Sequence, residues 1–400
     1  MRILLVGTRY LPFRHAGDKN FWFDVVRGLE RLGHEVEIIS IMVEHVPPGT
    51  PPIHRVPPVP VYLTPDLRFN AEFTHLAGTN NYISKTATIP KIGREIRARR
   101  REFRPDVVHF ADNYGPAMLG LRPAFGKLPT ALSAPTYQPN RPLYDVFLRA
   151  SFAPFDVIVP FSDAYRRRLL ELGLPPERVR RIRWGIDPVK FAPPSEAERR
   201  AAEAKLGLSE TDLAVLWTGF TQQTGEADLR FAVRTAETAL ASHPTGLQFL
   251  FSFKPEHFKE SYVKLERPGL RVLHTAETFD AARKSADLLL SPVVDRRSTA
   301  APPLVWLECL ATGQPILTTR FPGAEEAVED HRSGFLVETP AEGAERLSEM
   351  KADRGLRTRL RDGARQIAVE RYSVEDSLRE YVELWSNLDA RSKGRESRSG

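Results

Sequence analysis

The stretch richest in chemistry is Ser291 to Arg320, SPVVDRRSTAAPPLVWLECLATGQPILTTR. It holds a single carboxylate, Glu308, inside an otherwise apolar helical run, and a polar, basic loop, Asp295-Arg296-Arg297-Ser298-Thr299, ahead of it. A half-buried carboxylate needs a partner, whether a backbone amide, an arginine or a ligand hydroxyl. Two further places carry polar residues next to apolar runs. Asp112 and Asn113 follow Val107–Phe110, and Gly17-Asp18-Lys19 precedes a helical pattern. A glycine loop between a strand and a helix start is a generic anion site, although Gly17 alone does not make a Gly-x-Gly-x-x-Gly fingerprint. His109, inside an apolar run, reads as a satisfied core histidine. The one cysteine, Cys309, excludes an intramolecular disulfide and fits a reducing cytoplasm.

The elements that must position these residues alternate. The first thirty-nine residues read as strand Arg2–Gly7, loop Thr8–Asn20, a helix from about Phe21 to Leu32 and strand Val36–Ile39. Phe21, Val25, Leu29 and Leu32 share one helical stripe. Residues 45–66, dense in proline, read as a surface excursion with at most a short strand near Val59–Leu63, and residues 67–88 as a polar loop. A basic helix follows over about 89–103. Strands are then expected at Val107–Phe110, Thr130–Ala134, Phe155–Pro160 and Val179–Arg183, with a helix capped by Ser162-Asp163. Ligands of α/β proteins sit at the carboxyl ends of parallel strands, which makes Asp112 and Asn113 candidates by position.

The second half restarts the pattern with strand Ala214–Gly219. It continues through Gln248–Phe253, a short helix near 255–265, Leu270–Leu273 and Asp287–Pro292. Pro302-Pro303 then opens a helix, Gly313 closes it, and Pro315 to Leu317 starts the next strand. Strand Gly334–Glu338 and helices over 341–350, 354–370 and 373–388 complete the reading. Four hundred residues exceed one core. Two successive β/α alternations predict an α/β protein of two doubly wound Rossmann-like domains facing a cleft.

Apolar (42%) and charged (27%) content are ordinary for a soluble globular chain, and no apolar run reaches spanning length. The net charge is +6, from 57 basic and 51 acidic side chains, and the arginines cluster locally. Lys91–Arg104, KIGREIRARRREFR, is the densest run. It reads either as a solvated helix face or as a patch for an anionic membrane surface or phosphorylated substrates. No nucleic-acid motif accompanies it. Residues 391–400, RSKGRESRSG, read as a disordered tail.

In this order the chain resembles the GT-B glycosyltransferases, in particular the retaining family 4 enzymes (group 1). GLPPERVRRIRWGIDPVKFAP, Gly173 to Pro193, resembles that family's hinge. ADLLLSP and LECLATGQPIL resemble its donor-site strand and helix, and GAEEAVEDHRSGFLV the strand-loop that follows. ERYSVEDSLREYVELW resembles the C-terminal helix that crosses back to the first domain. The resemblance implies an acceptor-side domain over 1–185 and a nucleotide-sugar donor domain over 186–370. The crossing helix would cover 371–390. It also implies a hexosyltransferase-like enzyme acting with retention on a saccharide or lipid-linked acceptor, in cell-envelope polysaccharide or glycolipid synthesis. No structural metal, no cofactor beyond the nucleotide-sugar substrate and no nucleic acid are implied. The location would be cytoplasmic or peripheral at the inner face of the membrane.

By the same resemblance Glu308 matches the second Glu of a Glu-x7-Glu pair and would grip the donor ribose, while the first falls at Ala300. Ala301-Pro302-Pro303 replaces a glycine-rich turn whose amides hold a phosphate, leaving the amides of Leu304 and Val305. Phe220 and Thr224, after Gly219, stand where an Arg and a Lys neutralise the diphosphate. The cleft His of a His-x-His pattern falls at Ala111. Arg296, Arg297, Lys254 and Arg320 are the substitutes that the sequence offers. Gly17, Asp18 and Lys19 are the candidate acceptor or phosphate loop, and Asp112 and Asn113 the catalytic candidates. A degenerate donor site also admits a catalytically inactive sugar-binding or partner subunit, and, as a third reading, a sugar-nucleotide epimerase.

Overall fold

Short apolar runs buried on both faces are what parallel strands require, and this chain supplies two sets of them. The computed structural model describes residues 1–9, 17–42, 46, 49–59, 82–113, 115–134, 142–219, 225–253, 258–294 and 302–399. The chain divides into one unit of Met1–Gly185 with Val374–Gly400 and a second of Ile186–Ser373.

The first unit contains β1 (Arg2–Arg9), α1 (Gly17–Arg31), β2 (Glu35–Met42), β3 (Ile53–Arg55), α2 (Tyr82–Glu102), β4 (Val107–Phe110), α3 (Arg122–Phe125), β5 (Thr130–Ala134), α4 (Pro142–Phe152), β6 (Val157–Pro160) and α5 (Asp163–Glu171). Its sheet is parallel, in the order β3-β2-β1-β4-β5-β6. The second unit contains α6 (Glu196–Lys205), β7 (Leu213–Thr218), α7 (Gly225–Ser242), β8 (Leu247–Ser252), β9 (Leu270–Leu273), α8 (Ala276–Ser285), β10 (Leu288–Leu290), α9 (Leu304–Ala311), β11 (Ile316–Thr319), β12 (Gly334–Val337), α10 (Pro340–Ala352) and α11 (Arg354–Arg371). Its parallel sheet runs β12-β11-β10-β7-β8-β9. This is the doubly wound α/β architecture expected from the sequence. Among the described residues no helix is long and apolar enough to cross a membrane.

The last helix, α12 (Val374–Ser399), packs on the first unit. Leu378 covers Gly28 of α1, and Tyr381 and Trp385 are buried. The Ser377 hydroxyl donates to the Arg183 carbonyl at 3.0 Å. Gly185 lies so close to the start of α12 that a Cβ there would stand 2.4 Å from the Val374 Cα.

Several elements differ from the sequence reading. Gly17, Asp18 and Lys19 form the first turn of α1 rather than a loop before it. α2 starts at Tyr82 and carries Pro90 inside it. Buried Thr88 and Ile89 hold its early turns, and the Thr88 hydroxyl accepts the Val59 amide at 3.0 Å. β3 lies at Ile53–Arg55, earlier than the expected strand, while residues 60–63 fall outside the described residues. Val179–Arg183 forms only an isolated parallel bridge along β6, because β6 ends in Pro160, which has no N–H to donate. α4 occupies a segment where the sequence reading places no element. α12 continues to Ser399 instead of ending in a disordered tail from Arg391. The Lys393–Asp389 pair at 2.7 Å and the Ser392 hydroxyl bond to the Lys127 carbonyl at 3.2 Å support that last part.

Gly185→Ala should lower stability by about 2 kcal/mol or more, because backbone rather than a movable side chain blocks the added methyl. Urea denaturation should show this as a lower midpoint at unchanged slope.

Candidate functional site

In a doubly wound sheet the strand order reverses once, and a crevice opens there at the carboxyl ends. In the second unit the reversal falls between β10 and β7, whose registers align Leu290 with Trp217. Gly219 follows β7 and Ser291 follows β10. A Cβ at Gly219 would stand 2.8 Å from the Trp217 ring, so glycine keeps the chain close against that indole.

Three side chains fix the segment after β10. The Trp306 indole N–H donates to the Ser291 hydroxyl at 2.8 Å. The Thr319 hydroxyl accepts the Val293 amide at 3.0 Å and donates to the Val293 carbonyl at 2.6 Å. The Val294 amide donates to the Asp228 carboxylate at 2.6 Å. α9 then starts at Leu304, with Pro303 as its N-cap and no side-chain cap. The Leu304 and Val305 amides belong to the first turn, where no intrahelical acceptor exists. Glu308 is half-buried one turn further on, between fully buried Leu307 and Cys309. Burial, with the nearby Glu308 charge, pushes the Cys309 thiol up to about 12, so this cysteine is an inert core residue.

Glu308, Leu304, Val305 and Gly219 therefore belong to the carboxyl-edge region of one sheet. Arg296, Arg297 and Lys254 lie outside the described residues, as do Ala300, Phe220 and Thr224. Arg320 is engaged with Asp330 at 2.9 Å and with Glu338 at 3.6 Å. The sequence reading assigns no role to Ser291, Trp306, Thr319 or Asp228. The available signal was positional: a serine directly after a buried strand, and an indole in an apolar helix that needs an acceptor.

In the first unit the order reverses between β1 and β4. Asp112 and Asn113 follow β4 there and are half-buried. The Asn113 side-chain oxygen accepts the Gly115 amide at 2.7 Å, and Gly115 has φ of 77°, so Asn113 caps the turn that ends this loop. Gly17, Asp18 and Lys19 open α1, which follows β1.

His109 is fully buried in β4. Its Nδ1 accepts the Trp385 indole N–H at 3.1 Å, which leaves Nε2–H to donate to Ser133 at 2.8 Å. The Ser133 and Tyr381 oxygens stand 3.1 Å apart. The rings of Trp22, Tyr381 and Trp385 surround the imidazole at 4.9 to 5.5 Å. Burial lowers the His109 pKa to about 3, so the ring is a neutral core group, as its sequence position implied.

A cavity of about 760 Å³ also opens on the first unit, around the amino ends of β5 and β6, lined by Arg122, Lys127, Asp156, Glu177, Arg178 and Arg391 among others. Its place at the opposite end of the sheet sets it apart from the site.

The fold is shared with solved glycosyltransferases. A glycosyltransferase from Rickettsia africae superposes with a TM-score of 0.72 at 14% identity, covering 96% of this chain and 98% of that one. Anabaena Alr3699/HepE in complex with UDP superposes with a TM-score of 0.69 at 14% identity, over 97% and 100%. These likenesses define the fold as GT-B. At the sequence level a profile for the glycosyl transferase 4-like domain matches residues 20–185, and one for glycosyl transferases group 1 matches residues 200–353. Together they take in most of the chain, which belongs to the group 1 glycosyltransferases. Among curated relatives, the D-inositol 3-phosphate glycosyltransferase of Salinispora arenicola is 31% identical over 210 residues, 48% of this chain and 46% of that protein. The putative colanic acid biosynthesis glycosyltransferase WcaL of Escherichia coli is 27% identical over 187 residues, 46% and 44%. The chain thus spans about half the length of the curated relatives it matches.

Two outcomes check this geometry. Trp306→Phe, which strands the Ser291 hydroxyl, should cost about 1 kcal/mol of stability. For His109 the folded pKa is depressed, so the unfolded chain takes up the proton first. The stability that the neutral ring contributes is intact above its ordinary 6.5 and is lost as pH falls toward 3. Denaturation curves should lose up to about 1.4 kcal/mol per pH unit in that window, and His109→Gln should flatten this slope.

Proposed function

We propose that the chain transfers a glycosyl group, with retention, from a nucleotide-diphosphate sugar to a saccharide or lipid-linked acceptor in cell-envelope polysaccharide or glycolipid synthesis. The observation that carries this reading is the carboxyl-edge arrangement of the second unit. There the Leu304 and Val305 amides of the first turn of α9, without an acceptor among the described residues, and the half-buried Glu308 lie one helical turn apart, beside a segment fixed by Trp306, Thr319 and Asp228. Amides at a helix start suit a diphosphate, and a carboxylate suits a ribose hydroxyl. The HepE protein has been solved with UDP and with UDP-glucose, which supports a uridine nucleotide as the first donor to try. The first unit would take the acceptor near Asp112. Such chemistry needs positioning and charge stabilisation rather than a protein nucleophile. A cytoplasmic location, peripheral at an anionic membrane surface through Lys91–Arg104, completes the proposal.

A second reading, a GT-B subunit that binds sugar without transferring it, is favoured by Pro302 and Pro303, which have no N–H to offer a phosphate. Calorimetry with UDP, GDP and their sugars separates the two. Transfer predicts nucleotide-sugar binding that Glu308→Ala weakens about tenfold or more, and turnover visible by mass spectrometry in a screen of nucleotide sugars. If no nucleotide binds at millimolar concentration and Glu308→Ala changes nothing, the transferase reading fails.

A further inference from the structure

α2, the 3-10 turn Pro116–Leu121 and α4 lie side by side in one helical layer of the first unit, where Ile92, Ile96, Met118, Leu121, Leu148 and Phe152 share a core. Their outward surface is unusual in two independent ways. Leu119, Val146 and Phe147 are 42%, 62% and 46% exposed, on two elements that pack together. Exposed apolar side chains gathered on neighbouring elements mark an interaction surface more often than single ones do.

The second feature is uncompensated charge. Lys91, Arg94, Arg97 and Arg101 recur every three or four residues of α2 and are exposed, on the side away from Ile92 and Ile96. Arg94, Arg97 and Arg101 have no carboxylate partner among the described residues. The carboxylates of the same elements are already used: Glu95 and Glu102 pair with Arg99, and Asp145 pairs with Arg168. Arg122 and Arg149 add exposed cations on α3 and α4. Arg99, Arg100 and Lys91 also serve the fold, through Glu37, the Ala124 carbonyl and the Pro57 carbonyl. The structure therefore separates the basic run into structural cations and a free stripe.

Cations without counter-charges, beside a few protruding apolar side chains, match a bilayer of anionic lipid. The guanidinium groups meet headgroup phosphates while the apolar tips enter the acyl boundary. We propose that this face seats the protein on such a bilayer, with Phe147, Val146 and Leu119 inserted and the Arg94–Arg97–Arg101 stripe on the headgroups. The proposal rests on the membrane reading above and adds insertion to it; it does not depend on glycosyl transfer.

Cys309, buried and unreactive, leaves an introduced cysteine as the one labelling site. The full chain carrying Phe147→Cys, or Val189→Cys as a control at an 83% exposed position of the second unit, is coupled to an environment-sensitive fluorophore. Each is mixed with phosphatidylglycerol–phosphatidylcholine vesicles and with phosphatidylcholine vesicles alone. The expected result is a blue shift at position 147, quenched by lipid-borne quencher, only with the anionic vesicles, and none at position 189. In sedimentation, Phe147→Ser should bind about tenfold more weakly. Arg94→Glu with Arg97→Glu and Arg101→Glu should weaken binding on the order of a hundredfold. If the vesicles bind but position 147 still reports water and Phe147→Ser binds like the parent chain, insertion is overturned while the electrostatic reading survives. If binding survives the triple reversal, the headgroup role of the stripe is overturned. Failure to sediment with any vesicle, with retention of polyglutamate instead, overturns both in favour of an acidic polypeptide partner.

Discussion

A parallel sheet covered on both faces offers chemistry only at its ends, and this constraint organises the whole molecule. The strands at the middle of each sheet are buried: β10 is Leu288-Leu289-Leu290, and every residue of β4 is buried. Polar side chains can reach a ligand only where the strands stop, and the best gap lies where strand order reverses. In the second unit that gap is bounded by Gly219 and Ser291. The close approach of Gly219 to Trp217 and the anchoring of Ser291–Val294 both keep this edge in one shape. Positional precision of this kind is what transfer chemistry without a protein nucleophile would need.

The first unit depends on a buried polar core. His109, Ser133, Tyr381 and Trp385 form a chain of hydrogen bonds between the sheet and α12. In a buried core such a network is valuable when every member is satisfied and costly when one is removed. The Trp385 indole can only donate, which fixes the His109 tautomer and makes the ring neutral by construction. The network is thereby a clamp for α12, and the close contact of Gly185 with Val374 sets where that helix begins.

The fold was legible because its signals are local. Continuous apolar runs bounded by glycine and proline gave β1, β4, β7, β10 and β11 nearly in full. The readings that failed were those where local signals conflict with tertiary ones. Pro90 argues for a helix start but lies inside α2, where burial of the neighbouring Thr88 and Ile89 holds the turn. The polar composition after Arg391 argues for disorder, yet contacts to Lys127 and Asp389 extend the helix. Glu308 was found because a carboxylate in an apolar helix is conspicuous. Asp228, Thr319 and Trp306 were not, because their roles are hydrogen bonds to residues 15 to 66 positions away, which no short pattern records.

The start of α9 decides how a donor would be held on the proposed reading. Pro303 occupies the N-cap with no side-chain cap, and Pro302 precedes it, so from Pro302 onward the first backbone donor is Leu304. Two amides at a helix start can contribute roughly 3–6 kcal/mol to a charged phosphate at the usual value per charge-assisted bond. A carboxylate–ribose contact at Glu308 would add about 1.5–3 kcal/mol per hydrogen bond. On that reading donor recognition would lean on the nucleoside as well as on the diphosphate, because Pro302 and Pro303 offer no N–H to a phosphate. Glu308 would then carry a larger share of donor binding, and a change there would cost more than in a pocket where phosphate contacts dominate.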